Sequence, residues 1–229
     1  MDTPKAPPIA DAPTISISPL TPTDVDSLLP LHVEAFQGFI GVRLGNRYTR
    51  HVLGWFATKP SAIGFVARGD EGIRGYVFGA PVGYAARMNR DLLPWGVIAL
   101  LARPHLLLDL RVLRQISSRL RLLLRLDSRT PSEPPIPAPT LSLVAVGTRP
   151  DSRRLGIGQA LIETYCRAAK ELGFASVRLS VHKDNRPAIQ LYESLGWRPL
   201  PHQGNPSLIC YALVLAGSDH ARGKQGPAL

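Results

Sequence analysis

The stretch that most constrains the fold is Val144 to Gln159, which reads VAVGTRPDSRRLGIGQ. An apolar run turns at Arg149-Pro150-Asp151 and presents Arg153-x-x-Gly156-x-Gly158 just before a pattern with helical spacing. The first N–H groups of a helix lack intrahelical partners and lie at the positive end of its dipole, so they suit a phosphate. The glycines remove side chains that would keep a pyrophosphate away. The stretch therefore predicts a strand, a turn and a helix with a phosphate-binding N-terminus.

Three nucleotide-binding motifs are compared with this turn. A P-loop requires a Lys after its second glycine, and none follows Gly158. A Rossmann fingerprint requires GxGxxG with an acid about 20 residues on, and only Gly156-x-Gly158 is present. The third motif, R/Q-x-x-G-x-G/A after a strand, is matched by residues 153–158. The structural alternative is a helix N-terminus with two incidental glycines. The helix itself is predicted from the spacing of Ala160, Leu161, Thr164, Tyr165, Ala168 and Leu172.

A second motif decides between these alternatives. The third motif resembles the acyl-CoA pyrophosphate loop of the GCN5-related N-acetyltransferase (GNAT) superfamily. Residues 185–197, NRPAIQLYESLGW, resemble the family's N-x-x-A-x-x-x-Y-x-x-x-G-F segment, with Trp197 in place of Phe. The resemblance is strong over residues 141–214 and holds only in outline before them. It implies an α/β fold with a mixed central sheet, two splayed strands and helices on both faces.

The resemblance also implies an activity and a set of site residues. It implies direct transfer of acetyl from acetyl-CoA to a primary amine, with no metal. The backbone of Val146 and Thr148 would pair with the pantetheine arm, and the Val146 N–H would lie near the thioester carbonyl as a single oxyanion donor. The pyrophosphate would be held by the N–H groups of Arg154, Gly156, Gly158 and Gln159, with charge from the side chains of Arg153 and Arg154.

Two residues of the second motif carry separate roles in this interpretation. Asn185 resembles the family Asn that contacts the CoA arm, and it also suits the N-cap of a helix beginning at Pro187. Tyr192 is the candidate proton donor to the departing thiolate, whose free thiol has a pKa near 8.5. The structural alternative for Tyr192 is a half-buried packing residue.

The general base is left open by the sequence. Family members that acetylate histones carry a Glu at the start of the cofactor strand, where this chain has Ser142. A histidine side chain is suited to proton transfer near neutral pH, so His182 is a candidate, although a lone His near a strand end is more often structural. Glu34 or a chain of waters are the other candidates.

The region before the motifs predicts a sheet meander and two helices. Strands are predicted at residues 14–18, 62–68 and 73–80, with the last two joined by a hairpin turn. One helix begins near Thr21-Pro22 and the second covers residues 44–57. Later strands are predicted at 176–182 and 208–214, the latter after a Gly204-Asn205-Pro206 turn. The resemblance implies that the first two helices flank the acceptor pocket, so Phe36, Phe39 and Tyr48 are either pocket residues or core.

Residues 82–139 form an insertion relative to the simple family pattern. Helices are predicted at residues 89–102 and 105–126, followed by a Pro-rich linker. The second places a row of apolar side chains on one face, beside several arginines. The insertion has nine Arg and four acids, a net +5, which is half of the chain's +10. The apolar row is Leu106, Leu110, Leu113, Ile116, Leu120, Leu123 and Leu124.

The helix at 105–126 is open to three functional interpretations and one structural interpretation. It can lie on an anionic membrane surface, dock a second copy of the chain or a partner helix, or cover the acceptor site as a lid that favours anionic substrates. The structural interpretation is a helix whose Leu face packs on the domain while the arginines stay solvated. Nucleic-acid binding is disfavoured, because these arginines alternate with Leu rather than with exposed aromatic residues.

Length and composition set the domain organisation and the compartment. The 229 residues predict one domain at 14–215, with disordered tails at 1–13 and 216–229. Cys166 and Cys210 have no metal spacing and read as buried thiols. No signal peptide and no run of about 18 apolar residues is evident, so a reducing cytoplasm is expected.

The expected function is an acetyl-CoA-dependent N-acetyltransferase acting on a small-molecule amine. The basic insertion favours an anionic acceptor such as an amino sugar or a sugar nucleotide. One alternative is a protein or peptide N-acetyltransferase. The other is a non-catalytic acyl-CoA-binding module whose basic helix docks a membrane or a protein.

Overall fold

The computed structural model of the chain describes residues 15–109, 136–201 and 207–215. Within these residues, seven strands form one mixed sheet in the order β1-β2-β3-β4-β5-β7-β6, in which β4 and β5 run parallel and the other pairs antiparallel. The strands are β1 Ser16–Pro19, β2 Ile63–Gly69, β3 Gly72–Pro81, β4 Thr140–Thr148, β5 Ser176–His182, β6 Arg198–Pro199 and β7 Leu208–Val214. The helices are α1 Val25–Ala35, α2 Ile40–Arg43, α3 Asn46–Thr58, α4 Tyr84–Leu101, α5 Ile157–Glu171 and α6 Arg186–Ser194.

The sheet has two differently covered faces. On one face, which we call the α5 face, α5 and α6 bury a cluster that includes Leu141, Val177 and Tyr192. On the other, the α1 face, α1 and α3 pack on β2 and β3, where Val66 and Tyr76 are fully buried. This confirms the prediction of a mixed α/β sheet with helices on both faces.

The predicted strands are confirmed to within two residues. In β5, Val177, Leu179 and Val181 all lie in the cluster on the α5 face, because successive side chains of a strand point to opposite faces. Ile15 and Ile17 share that face too. The short strand β6 was not predicted.

Two helix predictions need correction. The helix predicted at 44–57 corresponds to α3, which begins two residues later, and the unpredicted short helix α2 precedes it; Gly45, whose φ is +98°, lies between them. In α5 the predicted apolar stripe is displaced by one residue, and Leu172 follows the last helical residue and is 65% exposed. The predicted and observed stripes share Leu161 and Tyr165, and the buried face is centred one residue further along the chain. The buried residues of α5 are Ile157, Leu161, Ile162, Tyr165, Cys166 and Ala169.

Residues 82–139 leave the sheet after β3 and return at β4. Their first helix, α4, begins five residues earlier than predicted, and the described start of the second is a short 3₁₀ helix, Pro104–Leu108. The remainder of the helix predicted at 105–126 lies outside the described residues. So do both tails predicted as disordered and the Gly204-Asn205-Pro206 turn. No described helix is long and apolar enough to cross a membrane.

Strand β4 carries one extra residue where it pairs with β3. Phe78 pairs with Ala145 and Gly79 pairs with Leu143, so Val144 bulges out of the ladder. Gly79 allows the close approach, because a Cβ there would overlap the Ser142 carbonyl oxygen and the Tyr165 hydroxyl. The Tyr165 hydroxyl donates to that carbonyl at 2.9 Å. This hydrogen bond therefore connects helix α5 to β4 two residues before the bulge at Val144.

One buried polar pair joins α1 to β3. The His32 Nδ1 and the Tyr76 hydroxyl lie 2.7 Å apart in the core of the α1 face. Burial lowers the pKa of His32 from 6.5 to about 4 and raises the pKa of Tyr76 well above 10. Both side chains are therefore neutral at pH 7.

We expect Gly79→Ala to lower the free energy of unfolding by ~2–3 kcal/mol, because the new methyl group must displace backbone or break the Tyr165 hydrogen bond. Urea unfolding at pH 7 measures the change. Gly54→Ala in α3 is the matched control, since a Cβ there meets no atom within 4 Å, and Ala favours a helix by ~0.5–1 kcal/mol. Equal stability of the two variants would contradict the close approach.

We expect the stability to fall by about 2 kcal/mol between pH 7 and pH 5 through His32 alone. The folded-state pKa is depressed, so below pH 6.5 the unfolded chain takes up a proton that the folded chain excludes. His32→Gln keeps a polar partner for Tyr76 and should flatten this part of the pH dependence. Urea unfolding at both pH values tests this, and an unchanged slope in the variant would refute it.

Candidate active site

The sheet opens between its two parallel strands. β4 pairs with β5 only from Thr140 to Ser142, against Ser176 to Arg178. β4 then continues to Thr148 and β5 continues to His182, which stays paired with β7 on its other side. The predicted splay is therefore confirmed, and it leaves a gap bordered by residues 143–148 and 179–182.

The bulge decides which backbone groups of β4 face this gap. Before it, the Pro139 carbonyl accepts from Ala175 toward β5, and the Thr140 carbonyl accepts from Val82 toward β3. After it, the Arg149 N–H donates to Arg74, on the β3 side. Backbone groups alternate along a strand, so the extra residue switches the alternation. The N–H and C=O groups of Val146 and Thr148 are thereby directed into the gap.

The turn after β4 ends in a helix with free N–H groups. Arg154 and Gly156 have φ values of +63° and +75°, and Gly156 is the N-cap of α5. Ala160 is the first residue that donates along the helix, to the Gly156 carbonyl at 3.0 Å, so the N–H groups of Gly158 and Gln159 lie before the first helical bond. Gly158 lies between β4 and α6, with Thr148 and Leu191 in van der Waals range of a Cβ placed there.

In the turn between β4 and α5, some charged side chains form ion pairs and others form none with described residues. The Asp151 carboxylate lies 2.6 Å from the Arg149 guanidinium and 3.5 Å from that of Arg74. The hydrogen bond from the Ser152 hydroxyl lowers the pKa of Asp151 most, and the hydrogen bond and charge of Arg149 lower it further. The side chains of Arg153 and Arg154 are exposed and form no ion pair with the described residues. The N-terminus of α5 is therefore electropositive.

Tyr192 combines a buried ring with a hydroxyl that is not completely buried. Its ring packs near Trp197 and Tyr211, at centroid distances of 5.7 and 6.3 Å. No described residue forms a hydrogen bond with the Tyr192 hydroxyl, and solvent reaches part of its oxygen. Burial raises the pKa of Tyr192 to about 12, so the side chain keeps its proton at neutral pH.

Asn185 serves as the N-cap of α6. Its Oδ1 accepts a hydrogen bond from the Ala188 N–H at 3.3 Å, and the helix begins at Arg186, one residue before the predicted Pro187. The capping role is thus confirmed, and it leaves the Asn185 amide NH₂ able to donate to a ligand.

Three polar residues of β5 point away from the α5 face. Since Val177, Leu179 and Val181 lie in the core on that face, the alternation directs Arg178, Ser180 and His182 to the α1 face. Ser180 and His182 are exposed there, and His182 Nδ1 lies 3.3 Å from Asp184. Ser142 pairs with Arg178 at the vertex of the gap. The sequence analysis singled out Ser142 and His182 but missed Arg178.

The aromatic residues near α2 divide between core and surface. Tyr48 is buried in a small cluster with Ile40, Leu44 and Leu92. Phe36 is half-buried and contacts Phe39, which is 56% exposed. Tyr48 is therefore a core residue, whereas Phe36 and Phe39 are available to line a pocket.

Polar and aromatic contacts join helix α4 to α3. Asp91 accepts from Lys59 at 2.8 Å and from the Trp55 indole at 2.9 Å. The rings of Trp95 and His51 stack 3.7 Å apart. The described part of the insertion is therefore attached to a helix of the α1 face. Across the described ranges, no group of three or more His, Cys, Asp or Glu could hold a metal.

Comparison with known proteins identifies the family of this arrangement. The model of the acetyltransferase (GNAT) family matches residues 34–197, more than half of the chain. The mycothiol acetyltransferase of Thermomonospora curvata is 38% identical over 61 residues, 27% of this chain and 20% of that protein. The [ribosomal protein bS18]-alanine N-acetyltransferase of Escherichia coli K12 is 39% identical over 56 residues, 24% of this chain and 38% of that protein. The chain thus spans well under half the length of these relatives.

A solved structure has the same fold. The structure of Arabidopsis thaliana NAA60 in complex with a bisubstrate analogue superposes with a TM-score of 0.56, covering 90% of this chain and all of that one, at 17% identity.

We expect Gly156→Ala to lower the free energy of unfolding by ~1 kcal/mol, because a φ of +75° is costly for a residue with a Cβ. The site has open space, so the cost is one of backbone conformation. Gly158→Ala is the matched control, since its Cβ meets only ordinary contacts. Urea unfolding that ranks the two variants in the opposite order would contradict the turn geometry.

Proposed function

The chain belongs to the acetyltransferase (GNAT) family, and we propose that it transfers an acetyl group from acetyl-CoA to a primary amine. The observation that carries this proposal is the gap between β4 and β5, which lies beside the free N-terminus of α5, with Tyr192 in the cluster on the same α5 face. The gap would hold the acyl carrier, the N-terminus of α5 would bind its diphosphate, and Tyr192 would supply a proton.

The chemistry of the donors fits acetyl-CoA. The N–H groups of Gly158 and Gln159 suit a diphosphate, as do Arg153 and Arg154, which form no ion pair within the described ranges. The backbone groups that the bulge turns into the gap suit the amides of the pantetheine arm, which would pair with β4 as an added strand does. The Asn185 amide is a further donor for that arm.

The residues around the gap then divide the chemical work. Bound acetyl-CoA supplies a thioester, whose C–S bond breaks as the C–N bond to the amine forms. The Val146 N–H is directed to where negative charge develops on the thioester oxygen. Tyr192 donates its hydroxyl proton to the departing sulfur, and its raised pKa ensures that the proton is present at pH 7.

His182 is the candidate for the base that takes the proton from the amine. Val146 and His182 each lie four residues beyond the last pair of β4 and β5, so they stand at matching heights on opposite sides of the gap. His182 projects from the α1 face, whereas Tyr192 lies on the α5 face. Base and acid thus lie on opposite faces of the sheet, and Ser142 supplies no carboxylate in place of His182.

The acceptor is proposed to be a small-molecule amine. The names of the relatives cover two substrate classes, since one is a mycothiol acetyltransferase and another a ribosomal-protein alanine N-acetyltransferase. The second candidate is therefore the N-terminus of a protein. A non-catalytic acyl-CoA-binding module is the third, and turnover separates it from both. The two cysteines, free of disulfides, suit the reducing cytoplasm where we propose that the protein works.

Calorimetric titration with acetyl-CoA, followed by thiol release with a pool of amines and N-terminal peptides, tests the proposal. We expect Tyr192→Phe to lower kcat about 100-fold, while the Kd for acetyl-CoA changes less than about twofold, because only the proton donor is removed.

Tyr211→Phe is the matched control for this variant. It removes a hydroxyl from the same aromatic cluster, but that hydroxyl donates to Glu193 at 2.7 Å, so its loss should reduce stability more than rate. Tight binding of acetyl-CoA without turnover on any acceptor would favour the binding module. Absence of binding would refute the proposed function.

A further inference from the structure

Two arginines share one row across the α1 face of the sheet. The register pairs Ser142 with Arg178, Arg178 with Ala212, and Ala212 with Arg198. Residues paired across strands point to the same face, and Arg178 points to the α1 face. Arg178 and Arg198 therefore stand on either side of Ala212, with their Cα atoms about 10 Å apart.

Neither arginine has a partner within the chain as far as the structure describes it. No ion pair or side-chain hydrogen bond joins Arg178 or Arg198 to a residue of the described ranges. Arg178 is nevertheless half-buried, and Ala212 between them is only 6% exposed. A guanidinium that is partly desolvated without a carboxylate partner is costly to maintain. By contrast, a carboxylate contacts each of Arg43, Arg50, Arg68, Arg74 and Arg149.

The pair lies at the vertex of the gap, on the same α1 face as His182. Ser142 and Arg178 form the last pair before β4 and β5 separate. On this face α1 and α3 pack over β2 and β3, and Ser180 and His182 remain exposed further along β5. An acceptor whose amine meets His182 would therefore extend along β5 toward Arg178.

We propose that Arg178 and Arg198 form an anion subsite that binds a carboxylate or phosphate group of the acceptor. The proposal deepens the proposed function and rests on it. A planar guanidinium binds either anion through two parallel N–H···O bonds, and the small side chain of Ala212 leaves space between the two long side chains. Because Arg178 lies four residues from His182 along an extended strand, roughly 13 Å, the anion and the amine are several bonds apart.

The test uses acceptor pairs that differ only in the anion. They are 4-aminobutyrate with 4-aminobutanamide, O-phosphoethanolamine with ethanolamine, and peptides beginning Ala-Asp with peptides beginning Ala-Asn. Each is titrated calorimetrically into CoA-loaded full-length protein, since bound CoA fills the phosphate loop, and is then assayed with acetyl-CoA. The three pairs distinguish a carboxylate metabolite, a phosphate and an acidic peptide.

We expect the anionic member of at least one pair to bind the wild type ~10- to 100-fold more tightly than its neutral partner. Arg178→Gln and Arg198→Gln should each remove most of that preference, and Arg178→Lys should restore part of it. Arg167→Gln, an equal charge change at an exposed position on α5, should preserve it. Because Arg198 is exposed, its variant keeps the test valid if Arg178→Gln fails to fold.

Two results would overturn the inference in distinguishable ways. If anionic and neutral members bind alike, or neither binds, while acetyl-CoA still binds the wild type, the subsite is refuted and the proposed function stands. If acetyl-CoA itself fails to bind, the proposed function fails and the subsite fails with it.

Discussion

The site depends on one extra residue in β4. Without the bulge at Val144, the backbone alternation set by Pro139 and Thr140 would turn the N–H of Val146 toward β3, where it would be used in the ladder. The bulge persists because β3 has no side chain at Gly79 and because Tyr165 of α5 hydrogen-bonds the Ser142 carbonyl. A core contact thus controls how a functional strand presents its backbone.

The two sides of the gap have different physical character. On the α5 face, the free N–H groups at the start of α5 and the buried Tyr192 lie next to packed apolar side chains. On the α1 face, the exposed end of β5 carries Arg178, Ser180 and His182. The sheet separates them, so two ligands can occupy the site at once and meet only where the strands part. In the function proposed above, this separation would suit direct transfer better than transfer through an enzyme-bound acyl group.

Much of the fold was predictable, because its signals are local. Apolar and polar residues alternate along the strands, and the turn after β4 requires glycine at a positive φ. Asn185 followed by Pro187 indicates the start of a helix. The bulge gives no such signal, since the run VAV reads as an ordinary strand. The alternation along β5 could have placed Arg178 on the α1 face, but its pairing with Arg198 depends on a two-residue strand and a register known only in three dimensions. The His32–Tyr76 pair joins residues 44 positions apart for the same reason.

The insertion leaves and re-enters the sheet at one place. The Val82 N–H donates to the Thr140 carbonyl at 3.1 Å, directly after Pro81 pairs with Leu141. Its ends are thus fixed by the sheet itself, and the entropy of closing such a loop grows only slowly with its length. Evolution could therefore lengthen, shorten or replace this segment without disturbing the register of the strands. The length of the segment between β3 and β4 is thus only weakly coupled to the stability of the sheet that carries the site.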